Sequence, residues 1–104
     1  MNFIMKSYNG KIVFITGAAM GIGFSLAKAF AMQGARLMLA DIDKEALAKA
    51  VVDLRGSGAD VASVVCDVTS RDSIEQAAAA TIEQYGKVHV VANNAGALTT
   101  GRAG

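Results

Sequence analysis

Short apolar blocks alternate along this chain with stretches in which apolar residues recur every three or four positions. Ile12, Val13, Phe14 and Ile15 form the first block, β-branched and aromatic, as a strand buried on both faces of a parallel sheet requires. Phe24–Gln33 then reads as a helix, with Ile22, Leu26, Ala29 and Phe30 at helical spacing and Gly34 placed to end it. Arg36–Ala40 is a second strand, closed by Asp41. Asp43 stands where the cap of a second helix belongs, and Ala46, Leu47, Ala50, Val51 and Leu54 are its apolar stripe before Gly56-Ser57-Gly58 breaks it. Asp60–Cys66 is a third strand. Thr69 and Asp72 stand at capping-box spacing ahead of a third helix, with Ile74, Ala78, Ile82 and Tyr85 as its expected buried face and Gly86 as its stop. Val88–Ala92 is a fourth strand, followed at once by Asn93-Asn94-Ala95-Gly96. Residues 1–10 form a lead-in that closes on an Asn9-Gly10 turn, and 97–104 form a small, polar tail without periodicity.

The order βαβαβαβ with short turns predicts a parallel sheet covered by helices on both faces. Right-handed crossovers give it the strand order 3-2-1-4, the nucleotide-binding half of a doubly wound α/β fold plus the first strand beyond the switch point. Composition narrows the rest. A chain of 104 residues makes one domain with a modest core. Ten basic against nine acidic residues give no field that would attract nucleic acid. The N-terminus lacks the apolar run of a signal peptide, and no window has the length of a membrane span. One cysteine allows no intramolecular disulfide and fits a reducing, cytoplasmic setting.

Candidate chemistry gathers at the carboxyl ends of the strands, where such sheets bind ligands. After the first strand come Gly17, Gly21 and Gly23. Their spacing differs from G-x-G-x-x-G, yet it meets the same needs, a turn of unusual φ and a helix start whose free N–H groups face an anion. No Gly-Lys-Ser/Thr follows, so the loop is not a P-loop. Asp41 ends the second strand, where a carboxylate can accept from both ribose hydroxyls of an adenosine and repel a 2′-phosphate; Ile42, not a basic residue, comes next. Asp67 and Val68 follow the third strand, placed either to hold an adenine or to start the next helix with Thr69. After the fourth, the Asn93 and Asn94 amides can tie strand ends together, and small Ala95 and Gly96 admit a close approach.

Taken together, Thr16-Gly17-x-x-x-Gly21-Ile22-Gly23, Asp41, Asp67-Val68 and Asn93-Asn94-Ala95-Gly96 resemble the short-chain dehydrogenase/reductase family position for position. The resemblance runs from about Lys11 to Gly96 and covers less than half of a usual member. It implies a partial Rossmann-type fold, with Ala19, Met20 and Ile22 against a nicotinamide cofactor, Asp41 on the adenosine ribose selecting NAD over NADP, and Asp67 and Val68 around the adenine. Asn93 and Ala95 would line the ribose and the central sheet. In an intact relative, hydride would pass between the nicotinamide and a carbonyl or secondary-alcohol substrate. That chemistry needs a Ser and a Tyr-x-x-x-Lys pair, in which the lysine lowers the pKa of the tyrosine. Ile12 and His89 lie four residues after Tyr8 and Tyr85, so neither tyrosine makes the pair. His89 and Cys66 read as structural. The expectation is therefore a cofactor half without catalytic residues, silent and prone to self-association. Two other readings stay open: a non-catalytic adenine-nucleotide or interaction module, and a class I methyltransferase-like fragment, which also places glycines after strand one and an acid after strand two.

Overall fold

Seven elements alternate within residues 8–95, the part of the chain that the computed structural model describes. They are β1 (Ile12–Thr16), α1 (Gly21–Met32), β2 (Arg36–Asp41), α2 (Lys44–Gly56), β3 (Asp60–Val65), α3 (Arg71–Tyr85) and β4 (Val90–Asn93). All strand pairs are parallel, in the order β3-β2-β1-β4, as the crossover argument predicts. The register sets Thr16 opposite both Ala40 and Asn93, and Asp41 opposite Val65. The four carboxyl ends thus finish level, and the loops that leave them share one end of the sheet.

Alternation of side chains across the pleat splits the core in two. Val13, Ile15, Leu37, Leu39 and Val61 face one side, where Ala27 of α1 and Leu47, Ala50, Val51 and Leu54 of α2 cover them. Ile15, Leu37 and Leu39 are wholly buried, each worth about 1.5–3 kcal/mol relative to exposure. The other side holds a smaller cluster of Ala40, Cys66 and Ala77, with Phe14, Val64 and Val68 partly buried around it.

The α2 stripe lies where the periodicity puts it. Three other expectations are corrected. α1 begins at Gly21, three residues before Phe24, and meets the sheet through Gly23 and Ala27, while Ile22 is 69% exposed and Ala29 is also exposed. The helix start lies so close to the β1 turn that only residues with little or no side chain fit between them. α3 buries Ala77 and Thr81, leaving Ala78 exposed and Ile74 and Ile82 at 43% and 49% exposure. Small residues face the sheet here too, and the Thr81 hydroxyl is satisfied by donating to the Ala77 carbonyl at 2.8 Å. β4 begins at Val90, because His89 is engaged as a clasp: its N–H donates to the Ile12 carbonyl and its Nδ1 accepts from the Ile12 N–H, both at 2.9 Å.

Candidate functional site

β1 delivers the chain into a loop held to the end of β2. The Ala18 N–H donates to the Ala40 carbonyl at 3.1 Å, extending the ladder by one bond past Thr16. The next N–H, that of Ala19, donates to Asp41 Oδ2 at 3.0 Å, and Asp41 Oδ1 accepts from the Asp43 N–H at 3.0 Å. Asp41 thus stands between the glycine loop and the turn into α2.

Two glycines are required here by close approach within the chain. Gly17 has φ +61°, and a Cβ would come within 2.9 Å of Asn94 Nδ2 and 3.1 Å of the Ala95 Cα. At Gly23 a Cβ would overlap the Gly17 carbonyl, so the first turn of α1 sits directly on the β1 turn. The positive φ of Gly17 meets the expected turn of unusual φ, and the contacts that both glycines relieve in the structure are with the protein itself.

The three helices begin differently. Asp43 caps α2 by accepting from the Ala46 N–H at 3.1 Å. Ser70 caps α3, its Oγ accepting from the Ser73 N–H at 3.2 Å. That corrects the expected Thr69–Asp72 box, because Thr69 is drawn back: its N–H and hydroxyl both donate to Asp67 Oδ1, at 2.9 and 2.7 Å. These two bonds, the hydroxyl first, hold the Asp67 carboxyl below its ordinary pKa. α1 alone has no side-chain cap: Met20 occupies the position in an extended conformation, and no acidic residue lies in the first turn. A helix start carries roughly half a positive charge and unpaired N–H groups, and here neither is answered by a side chain.

The fourth strand end is tied to the first. The Thr16 hydroxyl donates to Asn93 Oδ1 at 2.9 Å and accepts from the Ala95 N–H at 3.1 Å, while Asn94 Nδ2 donates to the Gly17 carbonyl at 3.2 Å. Thr16 was quoted in the motif without a role, and it is the hinge of this network. Its signal in the sequence is a hydroxyl at the last position of an otherwise apolar strand.

Gly17, Asp41, Ile42, Cys66, Asp67, Val68, Thr69 and Ala95 line a cleft of about 240 Å³ across the strand ends. Of the expected site residues, Gly17, Asp41, Ile42, Asp67, Val68 and Ala95 therefore meet in one place. Met20, Gly21 and Ile22 are exposed at the α1 start, whereas Ala19 is buried and Gly23 lies beneath the turn. Asn93 joins the site through Thr16, and Gly96 lies outside the described residues. A second cleft, of about 250 Å³, lies at the opposite end, between the last turns of α1 and α2, with Lys28 as its one charged residue. No helix start borders it, and its one glycine, Gly58, belongs to the turn that follows α2. Tyr85 is also far from the strand ends that carry the site. Its hydroxyl donates toward the Leu37 carbonyl at 3.1 Å and Asp60 Oδ1 at 3.0 Å, at the amino ends of β2 and β3. Burial, and then the neighbouring Asp60 carboxylate, raise its pKa above the ordinary range.

The profile of the family described as short chain dehydrogenase matches residues 11–103. A dehydrogenase/reductase of CLA biosynthesis from Lactiplantibacillus plantarum is 39% identical over 98 residues, covering 94% of this chain and 34% of that protein. A crystal structure of a short chain dehydrogenase/reductase from Burkholderia phymatum in complex with NAD superposes with a TM-score of 0.79 at 42% identity, over 81% of this chain and 30% of that one. An actinorhodin polyketide ketoreductase variant with NADPH gives a TM-score of 0.80 at 34% identity, over 82% of this chain and 33% of that one. The chain thus spans about a third of the length of the curated relatives it matches. The methyltransferase alternative finds no support in these matches.

Proposed function

Since the chain belongs to the short chain dehydrogenase family, we propose that it is the nucleotide-binding portion of an oxidoreductase that uses NAD(H) in preference to NADP(H). The observation that carries the proposal is the α1 start. It is the uncapped one of three, and it opens beside a cleft lined by Asp41 and Asp67. Unanswered N–H groups and the positive helix end suit a pyrophosphate. The donor set fits an adenosine on the other side. A carboxylate has about four acceptor positions; two on Asp41 serve Ala19 and Asp43, which leaves capacity for ribose hydroxyls, while its charge opposes a 2′-phosphate. Ile42 and Val68 offer apolar flanks to the adenine. When bound, the nicotinamide supplies hydride exchange with a carbonyl or secondary-alcohol carbon.

Neither Tyr85 nor His89 is placed to move the proton that accompanies hydride. Tyr85 is held by Leu37 and Asp60 and His89 by Ile12, both at the end of the sheet remote from the cleft. The 104 residues alone are therefore a binding unit without turnover. Self-association is part of the proposal, since Val91 on β4, an edge strand among the described residues, is 62% exposed. A cytoplasmic location suits the buried free thiol of Cys66, and no helix among the described residues is long and apolar enough to cross a membrane. Titration with NADH and NADPH tests the reading. NADH should bind tighter by about tenfold or more, as expected from charge-assisted bonds worth about 1.5–3 kcal/mol. Tighter NADPH would overturn the preference, and binding of neither by folded protein would overturn the site.

A further inference from the structure

We infer that Asp41 is a positioning residue for the glycine loop as well as a contact for the cofactor, so that cofactor choice and loop order are coupled through one carboxylate. The β1–β2 ladder ends with the bond from the Ala18 N–H to the Ala40 carbonyl. Beyond it, the strand ends are joined by the Asp41 side chain, which takes the Ala19 N–H on one oxygen and the Asp43 N–H on the other. Ala19 directly precedes Met20, which holds the cap position of α1 without making a side-chain cap. Fixing the Ala19 peptide therefore fixes the direction in which the chain enters the helix, and with it the direction of the free N–H groups. Ala19 is also buried, so its amide has little water to turn to when the carboxylate is removed; a buried donor left unpaired is unfavourable. Asp43, meanwhile, begins α2. One side chain thus orients the starts of both helices on the same face of the sheet. It follows that a residue at 41 chosen to admit a 2′-phosphate also releases the loop, unless it brings its own acceptor for Ala19.

The proposal deepens the cofactor reading, and its test runs without nucleotide, so the two can fail separately. Amide hydrogen exchange is followed residue by residue in the full chain, unmodified and as Asp41→Ala and Asp41→Asn. In Asp41→Ala the Ala19 and Asp43 amides should exchange at least tenfold faster, with Ile15 and Leu39 in the strands unchanged. Asp41→Asn keeps one acceptor oxygen, so one of the two amides should stay protected and the other be freed. Unchanged Ala19 exchange in Asp41→Ala would overturn the proposal. So would acceleration of Ala19 in step with Ile15 and Leu39 in both variants, because Asp41 would then support the whole domain rather than the loop.

Discussion

Of α1, α2 and α3, two begin closed and one begins open. α2 and α3 each begin with a polar side chain, Asp43 or Ser70, turned back onto an N–H of the first turn. α1 begins with Met20, which has nothing to offer. A missing cap costs about 1 kcal/mol, so the difference has a price in stability, and it falls at the helix that faces the strand-end cleft. The same turn contains Gly23 packed on Gly17 and an amide fixed by Asp41. The open start is therefore fixed in backbone position yet has no side-chain cap for its polar groups, which is what an anion site built from main chain needs.

The largest test of that contrast is Gly23→Val. The side chain would overlap the Gly17 carbonyl, and we expect a loss of about 3 kcal/mol of stability together with at least a hundredfold loss of nucleotide affinity, read by denaturation and titration. A folded valine variant with normal affinity would break the comparison. Next comes Asp41→Ala with Ile42→Arg, which should move the NADH to NADPH affinity ratio by about ten- to a hundredfold toward NADPH, with the absolute affinity held down by the released loop. Met20→Asp sharpens the comparison from the opposite direction by closing the open start. Stability should rise by about 1 kcal/mol and nucleotide affinity fall about tenfold, since the new carboxylate competes for the N–H groups and repels the pyrophosphate. Ser70→Ala, at a start that is already closed, should cost about 1 kcal/mol and leave nucleotide affinity unchanged.

The smallest effect concerns the other end of the sheet. Asp60 accepts from Arg36 Nε at 2.9 Å and from the Tyr85 hydroxyl at 3.0 Å; these bonds, Arg36 first, lower the Asp60 pKa, while burial and then the Asp60 carboxylate raise that of Tyr85. The Asp60 contribution is present above its ordinary value of 3.8 and is lost as pH falls through the lowered one. The Tyr85 contribution is present below the ordinary value of 10.0 and is lost as pH rises through the raised one. Tyr85→Phe should cost about 0.5–1 kcal/mol at neutral pH, a modest figure because the cluster is half open to water. The cost should shrink in acid once pH has fallen below the lowered Asp60 pKa, where a protonated Asp60 is the weaker acceptor. Denaturation curves at both pH values check this; an unchanged difference would contradict it.

Much of this was legible in the sequence because local signals and tertiary demand agree. The apolar blocks that became β1 and β2 are buried on both faces, and the α2 stripe is regular because the helix lies along the sheet beside α1. The clustering of Gly17, Asp41, Asp67 and Ala95 followed from strand order alone, since parallel strands end level. What was misread depends on distance between elements, which periodicity does not encode. Ile74 and Ile82 have the spacing of a buried face, yet the side of α3 that meets β3 presents Ala77 and Thr81. Gly23 sits where a Cβ would overlap the Gly17 carbonyl, a contact between two turns that no spacing of glycines reveals. His89, read as structural, is indeed a strand clasp, but its partner was not legible, because its Nδ1 accepts from a backbone N–H that lies 77 residues away in sequence.

The most direct measurement is an amide chemical-shift titration of the folded chain with NAD, resolved by residue. The account predicts saturable shifts at Gly17, Ala19, Gly21, Ile22 and Asp67, around the open helix start and the strand-end cleft, with Lys28 and Ser57 at the opposite cleft unmoved. Saturable shifts confined to Lys28 and Ser57, or none at all in a folded chain, would contradict it.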